Sequence, residues 1–186
     1  MTVTTPGPVV PDHLLDLAEW DALDEEVIRR AELVEGVLVV APSASPRHQR
    51  LSWRLCAALE AELAPRWALV PDIDVLVDEG PPPTVRRPDV VVVRAPALAR
   101  GPRFAPADVL AVAEILSPGS RRTDRIAKRG DYADAGIAHY LLVEPGPPVS
   151  ITELTLDGGA YRLVAEHTGG EAGLALGATI DLAALA

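Results

Sequence analysis

Three strongly apolar runs limit what this chain can fold into. They read "WALVPDIDVLV" from Trp67 to Val77, "PDVVVV" from Pro88 to Val93 and "DVLAVAEILS" from Asp108 to Ser117. Nearly continuous Val, Ile, Leu and Ala, with little polar alternation, is typical of strands that are buried on both faces. Such strands form the middle of a sheet that other elements cover, so we expect a layered fold with this sheet inside.

Helical patterns separate these runs. Ser45 is a good N-cap, Pro46 suits a first helical position, and leucines then recur at a spacing of four, at Leu51, Leu55, Leu59 and Leu63. Two further helices are expected, from Asp12 to Leu23 and from Arg121 to Ala135, the second ended by Gly136. Helices interleaved with hydrophobic strands predict an α/β or α+β fold with a mixed sheet.

The other segments complete this expected architecture. "ELVEGVLVVAP" predicts two short strands around a Glu35-Gly36 turn, "AHYLLVEP" a strand, and Val149 to Leu163 a hairpin around "DGG". The Pro-rich stretches "EGPPPTVRRP" and "RAPALARGPRFAP" are interpreted as loops. A length of 186 residues suits one domain over residues 1–186, with residues 1–11 as a flexible lead-in.

Composition excludes several classes of protein. A hydrophobic content of 48% with 24% charged residues excludes wholesale disorder. No apolar run approaches the roughly 20 residues of a membrane span, and the start "MTVTTPGPVVPDH" lacks the pattern of a signal peptide. We therefore expect a cytoplasmic protein without membrane contact. The single cysteine, Cys56, has no disulfide or zinc-finger partner and is predicted to be a core residue.

Charge is distributed unevenly along the chain. The formal net charge is -10, yet residues 86 to 129 hold ten bases against four acids, a net +6, and the remainder is -16. An acidic body with one basic segment indicates a local site for a polyanion. Lys128, in "RRTDRIAKRG", is the only lysine among 17 basic residues. Either this position requires a compact ammonium in place of a guanidinium fork, or its survival is compositional chance.

Two acids and this lysine form a candidate catalytic set. Asp89 opens one buried strand, and Glu114 lies near the end of another, so adjacent strands would bring the carboxylates together. A partly buried pair of acids needs a cation, and hard oxygen ligands favour Mg²⁺ or Mn²⁺. Lys128 lies on the helix that follows Glu114. Two acids, a divalent ion and an ammonium are what phosphodiester hydrolysis requires.

The runs "ELVEG", "PSASPRHQ", "RRPDVVVV" and "EILSPGSRRTDRIAKRGDYADAGIAHYLLVEP" resemble the bacterial Uma-two (Uma2) family of restriction-endonuclease-like proteins, a branch of the PD-(D/E)XK nuclease superfamily. The resemblance spans about residues 31 to 145. It implies a restriction-endonuclease-like mixed β-sheet core flanked by helices, with an N-terminal helix and a β-hairpin as additions. It also implies DNA as substrate and a homodimer, because two strands are cut by two sites related by a two-fold axis.

The resemblance also implies roles for individual residues. Pro88-Asp89 matches the PD element and Glu114 the acidic residue of the second element, which makes both metal ligands with the Ile115 carbonyl as a third. Leu116 stands where the superfamily has its lysine, so Lys128 would be that lysine, moved to the following helix. Asp124, one turn earlier, and Glu32 of "ELVEG" would be further acidic site residues, although Ala31 replaces the usual aromatic.

Each candidate also has an ordinary structural interpretation. Asp89 is compatible with a turn, Asp124 with a first helical turn, and Glu32 with a strand end. Glu114 has the strongest case, because an acid within "VLAVAEIL" is costly to bury without a partner. Tyr132 and Tyr140 are predicted to be core residues. Arg121, Arg122, Arg125 and His48 are predicted to contact a nucleic-acid backbone, or else to form a solvated face and a helix cap.

Three functions follow, in order of preference. The first is a Mg²⁺-dependent endonuclease that acts on DNA. The second is a catalytically silent nuclease-fold module that binds nucleic acid or protein. The third is a carboxylate-pair hydrolase such as a glycosidase, which the basic segment and the scarcity of aromatic residues disfavour.

Overall fold

The structure, a computed structural model, describes residues 11–40 and 43–186. Its helices are α1 (Leu17–Asp21), α2 (Glu25–Ile28), α3 (Pro46–Leu63) and α4 (Lys128–Asp134). Its strands are β1 (Ala31–Val34), β2 (Val37–Val40), β3 (Trp67–Pro71), β4 (Asp74–Asp78), β5 (Thr84–Arg86), β6 (Val90–Arg94), β7 (Arg103–Phe104), β8 (Val109–Ile115), β9 (His139–Glu144), β10 (Ser150–Asp157), β11 (Ala160–Thr168), β12 (Glu171–Leu174) and β13 (Ala178–Asp181).

A six-stranded sheet forms the centre, in the order β11-β10-β9-β8-β6-β3. Its strands are antiparallel except for β8 and β9, which run parallel with Glu114 opposite Leu142. One face packs against leucines of α3, and the other against a cluster that includes Tyr132, Ile137 and Tyr140. The predicted mixed sheet, buried on both faces, is therefore confirmed.

A second sheet of five strands has the order β2-β1-β5-β4-β7. The apolar run from Trp67 to Val77, predicted as one strand, is divided between the two sheets. β3 lies in the central sheet and β4 in the second, and Asp72 between them has a left-handed backbone with φ of 50°. The stretch "EGPPPTVRRP" was predicted as a loop, but it contains β5, which pairs with β1 and β4.

The N-terminal helix is shorter than the sequence predicts. The range Asp12 to Leu23 is wrong, because the helix begins at Leu17 after the N-cap Asp16. The side chain of Asp16 accepts from the Glu19 amide, and Glu19 accepts from the Asp16 amide in return. Just before this cap, Leu15 donates to the Gly36 carbonyl at 2.8 Å and so ties the segment to the β1–β2 turn. The predicted lead-in lies, except for Pro11, outside the described residues.

The helix predicted from Arg121 to Ala135 is present, with one irregularity. Residues Thr123–Ala127 form a π-helical turn, in which the Lys128 amide donates to the Thr123 carbonyl. α4 continues from it and ends before Gly136, whose φ of 78° stops the helix.

The β10–β11 hairpin turns at Gly158-Gly159 as predicted, and continues to Thr168. Cys56 is buried as predicted, and burial raises the pKa of its thiol to about 12. Across the described residues, no helix combines the length and apolar character needed to cross a membrane.

Candidate active site

Asp89 and the end of β8 meet at one edge of the central sheet. β6 and β8 are neighbours with Val90 opposite Ala113, so Asp89 lies beside the carboxyl end of β8. There the Ile115 amide donates to Oδ2 of Asp89 at 2.6 Å. Glu114 precedes Ile115 and is almost fully buried. The sheet register therefore places both predicted acids at the same edge.

Lys128 reaches the same place from the following helix. Its Nζ atom lies 2.9 Å from Oε1 of Glu114, 3.0 Å from Oε1 of Glu32 and 3.7 Å from Oδ1 of Asp124. The lysine side chain is only 9% exposed. The structure thus brings together four residues that the sequence suggested separately. The surrounding carboxylates raise the pKa of Lys128 against the opposing effect of burial, so the ammonium stays charged.

Glu32 holds the lysine and is itself held by two arginines. Its Oε2 atom accepts from Nη1 of Arg86 at 2.8 Å, and its Oε1 atom accepts from the Arg87 amide at 3.0 Å. Burial works against the charged carboxylate, but Lys128 and Arg86 outweigh it and lower the pKa of Glu32. Both Glu32 oxygens are therefore committed to protein donors, which makes this residue an anchor for Lys128.

Arg86 is the least expected member of this network. Its side chain is 3% exposed, and it contacts Oδ2 of Asp131 through Nε at 2.7 Å and through Nη2 at 2.6 Å. A continuous polar chain thus runs from Asp131 through Arg86, Glu32 and Lys128 to Glu114. Neither Arg86 nor Asp131 was predicted. In the sequence, Arg86 and Arg87 directly precede Pro88-Asp89 and indicate only a basic segment.

Glu114 accepts a second hydrogen bond within the core. The Tyr132 hydroxyl donates to Oε1 at 2.7 Å, the same oxygen that Lys128 contacts. Burial raises the pKa of Glu114 to about 8; Lys128 opposes this, while Asp89, Asp124 and Glu32 add to it. Tyr132 is buried as predicted, with its ring edge-on to Tyr140 at 5.2 Å. Its hydroxyl nevertheless belongs to the site.

Asp124 is the least satisfied group in this cluster. It is 1% exposed, and neither carboxylate oxygen has a hydrogen-bond partner among the described residues. Burial raises its pKa, and the nearby Lys128 opposes that shift only in part. A buried aspartate with two free oxygens is costly. A divalent cation beside Asp124 would offset more of this cost than Lys128 does from 3.7 Å.

His48 is half-buried and lies against Asp89. Its Nε2 atom is 2.9 Å from Oδ1 of Asp89, and this hydrogen bond raises the pKa of the imidazole. The Ser52 hydroxyl donates to the Asp89 carbonyl at 3.1 Å, so α3 fixes both the backbone and the side chain of Asp89. Asp72 lies nearby, and its pKa is raised first by burial and then by Asp89. Asp72 was not predicted.

The carboxylates suit a hard divalent cation in their chemistry. Asp124 offers two oxygens without donors, and Glu114 carries a pKa raised by burial and by neighbouring negative charge. Across residues 11–40 and 43–186, however, no three His, Cys, Asp or Glu side chains converge into a ready-made metal cluster.

The predicted backbone-contacting arginines lie on the helix beside this site. Arg121 places Nη1 and Nη2 at 2.6 and 2.7 Å from the two carboxylate oxygens of Glu144, and Arg125 Nη2 lies 3.1 Å from Oε1 of the same residue. Arg122 is exposed. Elsewhere in the basic segment, three more arginines pair with acids: Arg87 with Asp74, Arg100 with Asp108, and Arg103 with Asp21. Much of its positive charge is thus neutralised locally.

Comparisons with known proteins agree with this architecture. The family model of Uma2, described as "Putative restriction endonuclease", matches residues 15–182. An uncharacterised protein of Synechocystis sp. is 26% identical over 140 residues, which cover 73% of this chain and 78% of that protein. A crystal structure from Anabaena variabilis, described as a putative nuclease belonging to DUF820, aligns with a TM-score of 0.67 at 14% identity. That alignment covers 92% of this chain and 97% of the other, and it shows a shared fold.

Proposed function

Because the chain belongs to the Uma2 family of putative restriction endonucleases, we propose that it is a Mg²⁺- or Mn²⁺-dependent endonuclease that hydrolyses phosphodiester bonds of DNA. One observation carries this proposal. A buried ammonium, Lys128, lies 2.9 Å from the buried carboxylate of Glu114, at the sheet edge where Asp89 also lies. Family membership supports nuclease chemistry, and this arrangement supplies the groups that such chemistry uses.

Asp89 and Glu114 are the side chains we assign to the metal, with the Ile115 carbonyl as a third ligand. A divalent ion held there would polarise a phosphoryl oxygen and make a bound water molecule more acidic. Asp124 is the nearest further carboxylate, and its two free oxygens support a place in the same donor set.

Lys128 acts on the water and on the developing charge. An ammonium in a dry site stabilises negative charge on a phosphoryl group far better than one in bulk water. Glu32 and Arg86 keep the lysine in place, because each oxygen of Glu32 is committed to a protein donor. Tyr132 fixes the rotamer of Glu114 in the same way. Glu32, Arg86 and Tyr132 therefore have positioning roles, because they act through Lys128 or Glu114.

The test pairs metal binding with DNA cleavage. Asp89→Asn and Glu114→Gln are each expected to abolish Mg²⁺ and Mn²⁺ binding by calorimetry and to abolish cleavage of a supercoiled plasmid. Asp134→Asn is the matched control, because Asp134 is exposed on α4 and should leave both unchanged. Wild-type-like cleavage by either site variant would contradict the assignment.

A second candidate is the catalytically silent module that binds nucleic acid or protein. It is favoured by the engagement of Lys128 by three carboxylates, which leaves the ammonium partnered within the protein. Failure of the unmodified protein to bind Mg²⁺ or Mn²⁺ would favour this function over hydrolysis.

We also propose a homodimer, since cutting both strands of a duplex benefits from two sites related by two-fold symmetry. Light scattering of the protein with and without duplex DNA tests this. A monomer under both conditions contradicts it.

A further inference from the structure

Glu144 lies within a group of arginines contributed by two separate helices. Arg121 contacts both carboxylate oxygens, and Arg125 contacts one of them at 3.1 Å. From the first turn of α3, Arg47 donates to the carbonyls of Pro145, at 2.7 Å, and Gly146. Positive charge thus converges on the end of β9 from the helix after β8 and from α3.

This group lies at the same edge of the sheet as the candidate active site. β8 and β9 are parallel with Ile115 opposite Val143, and the Leu116 amide donates to the Val143 carbonyl at 2.8 Å. Glu144 is the next residue of β9. It therefore lies at the carboxyl end of the two strands, where Glu114 also lies. A strand of DNA at the active site would pass close to Glu144.

The contact between Arg121 and Glu144 has the geometry with which arginine binds phosphate. Two guanidinium nitrogens meet two oxygens, and the same fork accepts a carboxylate or a phosphodiester. The arginine side chains are about half exposed, at 51% and 48%, while that of Glu144 is 24% exposed. Salt and water screen ion pairs that are this exposed, so these arginines hold Glu144 weakly. Replacing its carboxylate with another anion therefore requires little free energy.

We propose that Arg121 and Arg125 form a binding site for a backbone phosphate of DNA, and that Glu144 occupies this site in the free protein. The inference rests on the proposed function, because DNA is the ligand. A phosphate beside the scissile bond replaces the Glu144 carboxylate, which then turns to solvent. The ordinary alternative is that the contact only fastens the helix to β9. In that case, removing Glu144 would not raise the affinity for DNA beyond the effect of losing one negative charge.

The experiment compares Glu144→Gln with Asp108→Asn. Both variants remove one negative charge, and both release an arginine from a carboxylate that it contacts through both oxygens: Arg121 in the first, Arg100 in the second. Asp108 lies at the other end of β8, just before Val109, away from the site. Affinity for a fluorescent DNA duplex is measured by anisotropy in EDTA over a range of salt concentrations, so that no cleavage occurs.

Glu144→Gln should bind DNA about tenfold more tightly than Asp108→Asn, because no carboxylate then competes with the phosphate. The salt slopes of the two variants should be similar, because both complexes contain the same phosphate contacts. Adding Arg121→Gln to Glu144→Gln should remove the gain. In the unmodified background, Arg121→Gln should weaken binding more than Arg100→Gln does. This last comparison tests the phosphate site itself even if Glu144→Gln folds poorly.

Equal affinities of Glu144→Gln and Asp108→Asn would overturn the inference, as would a gain that survives Arg121→Gln. Cleavage, measured separately with Mg²⁺, keeps the two proposals apart. If the unmodified protein cleaves DNA and Glu144→Gln shows no gain in DNA affinity, the phosphate site is contradicted and the proposed nuclease function is retained. If Glu144→Gln binds DNA more tightly but the unmodified protein shows no metal-dependent cleavage, the phosphate site is retained and the proposed hydrolysis is contradicted.

Discussion

Lys128 and Glu114 are in direct contact within the core, with Nζ 2.9 Å from Oε1. The ammonium also contacts Glu32 at 3.0 Å, so a compact cation fits between two carboxylates of different sheets. An arginine fork would spread over that space and grip Glu114 through both oxygens. Lys128→Arg should therefore fold and yet cut DNA about 10² to 10³-fold more slowly, the usual loss for one electrostatic stabiliser. Full metal-dependent cleavage by this variant would mean that the lone lysine is compositional chance.

Lys128→Ala should show a similar loss of turnover together with a loss of stability. It leaves Glu114, Glu32 and Asp124 buried without their shared cation. Removing one partner of a buried ion pair costs about 3–5 kcal/mol. Urea denaturation measures this cost, and Lys128→Arg should retain most of the stability. Stability of Lys128→Ala equal to that of the unmodified protein would show that the ammonium does not hold these acids.

Asp124→Asn should stabilise the metal-free protein. Both Asp124 oxygens are buried without hydrogen-bond partners, so removing the charge relieves desolvation and repulsion from neighbouring acids. We expect a gain of about 1 kcal/mol, or roughly 2–4 °C in Tm for a chain of this size. The rise in Tm that Mg²⁺ produces should shrink in the same variant. Asp134→Asn, on the exposed side of α4, should change neither value.

The contribution of Glu114 to the stability of the metal-free protein should fall as pH rises. Burial raises the pKa of Glu114 from 4.5 to about 8, so between these values the folded chain holds a proton that the unfolded chain has released. Rising pH then favours the unfolded state. The contribution of Glu114 to the free energy of unfolding is complete below pH 4.5 and is lost as the pH rises through 8. Thermal melts in EDTA should show this slope, and Glu114→Gln should flatten it. A slope of unchanged size in Glu114→Gln would exclude Glu114 as its source.

Arg86→Gln should destabilise the chain far more than Arg100→Gln. Arg86 is buried between Glu32 and Asp131, and its loss leaves charges without a partner, at a cost of about 3–5 kcal/mol. Arg100 pairs with Asp108 at the surface, where such pairs contribute about 0–1 kcal/mol. Denaturation of both variants under one condition provides the comparison. Because Arg86 orients Glu32, cleavage by Arg86→Lys should also fall, even where that variant is folded.

Local patterns predict the central sheet and its helices well. The capped leucine pattern after Ser45 and the valine-rich runs encode α3, β6 and β8 through residues that are close in sequence. The second sheet was less visible. β5 has three residues within a Pro-rich segment, and it becomes a strand only because β1 and β4 flank it. In the divided run from Trp67 to Val77, the dipeptide Pro71-Asp72 marks the point where the chain changes sheets, but the apolar residues on both sides of it suggest one strand.

The site divides in the same way. Asp89, Glu114 and Lys128 were predicted, because an acid within an apolar strand and a solitary lysine are unusual in themselves. Arg86 and Glu144 were not, since one more arginine in a basic segment and one acid at a strand end look ordinary. Their importance lies in contacts between residues that are distant in sequence. Arg86 contacts Glu32, 54 residues away, and Glu144 contacts Arg121, 23 residues away. Such contacts depend on how sheets and helices pack, which residue spacing alone does not encode.

The π-helical turn Thr123–Ala127 contains one residue more than a regular α-helix would need over the same rise. Losing a single residue there would restore an ordinary helix while α4, with Lys128 and Tyr132, continued unchanged. The same loss would shift Asp124 relative to Lys128 and withdraw its carboxylate from the ammonium. A length change in this turn, with no substitution at all, is therefore an evolutionary route by which such a chain can lose or regain its third buried acid.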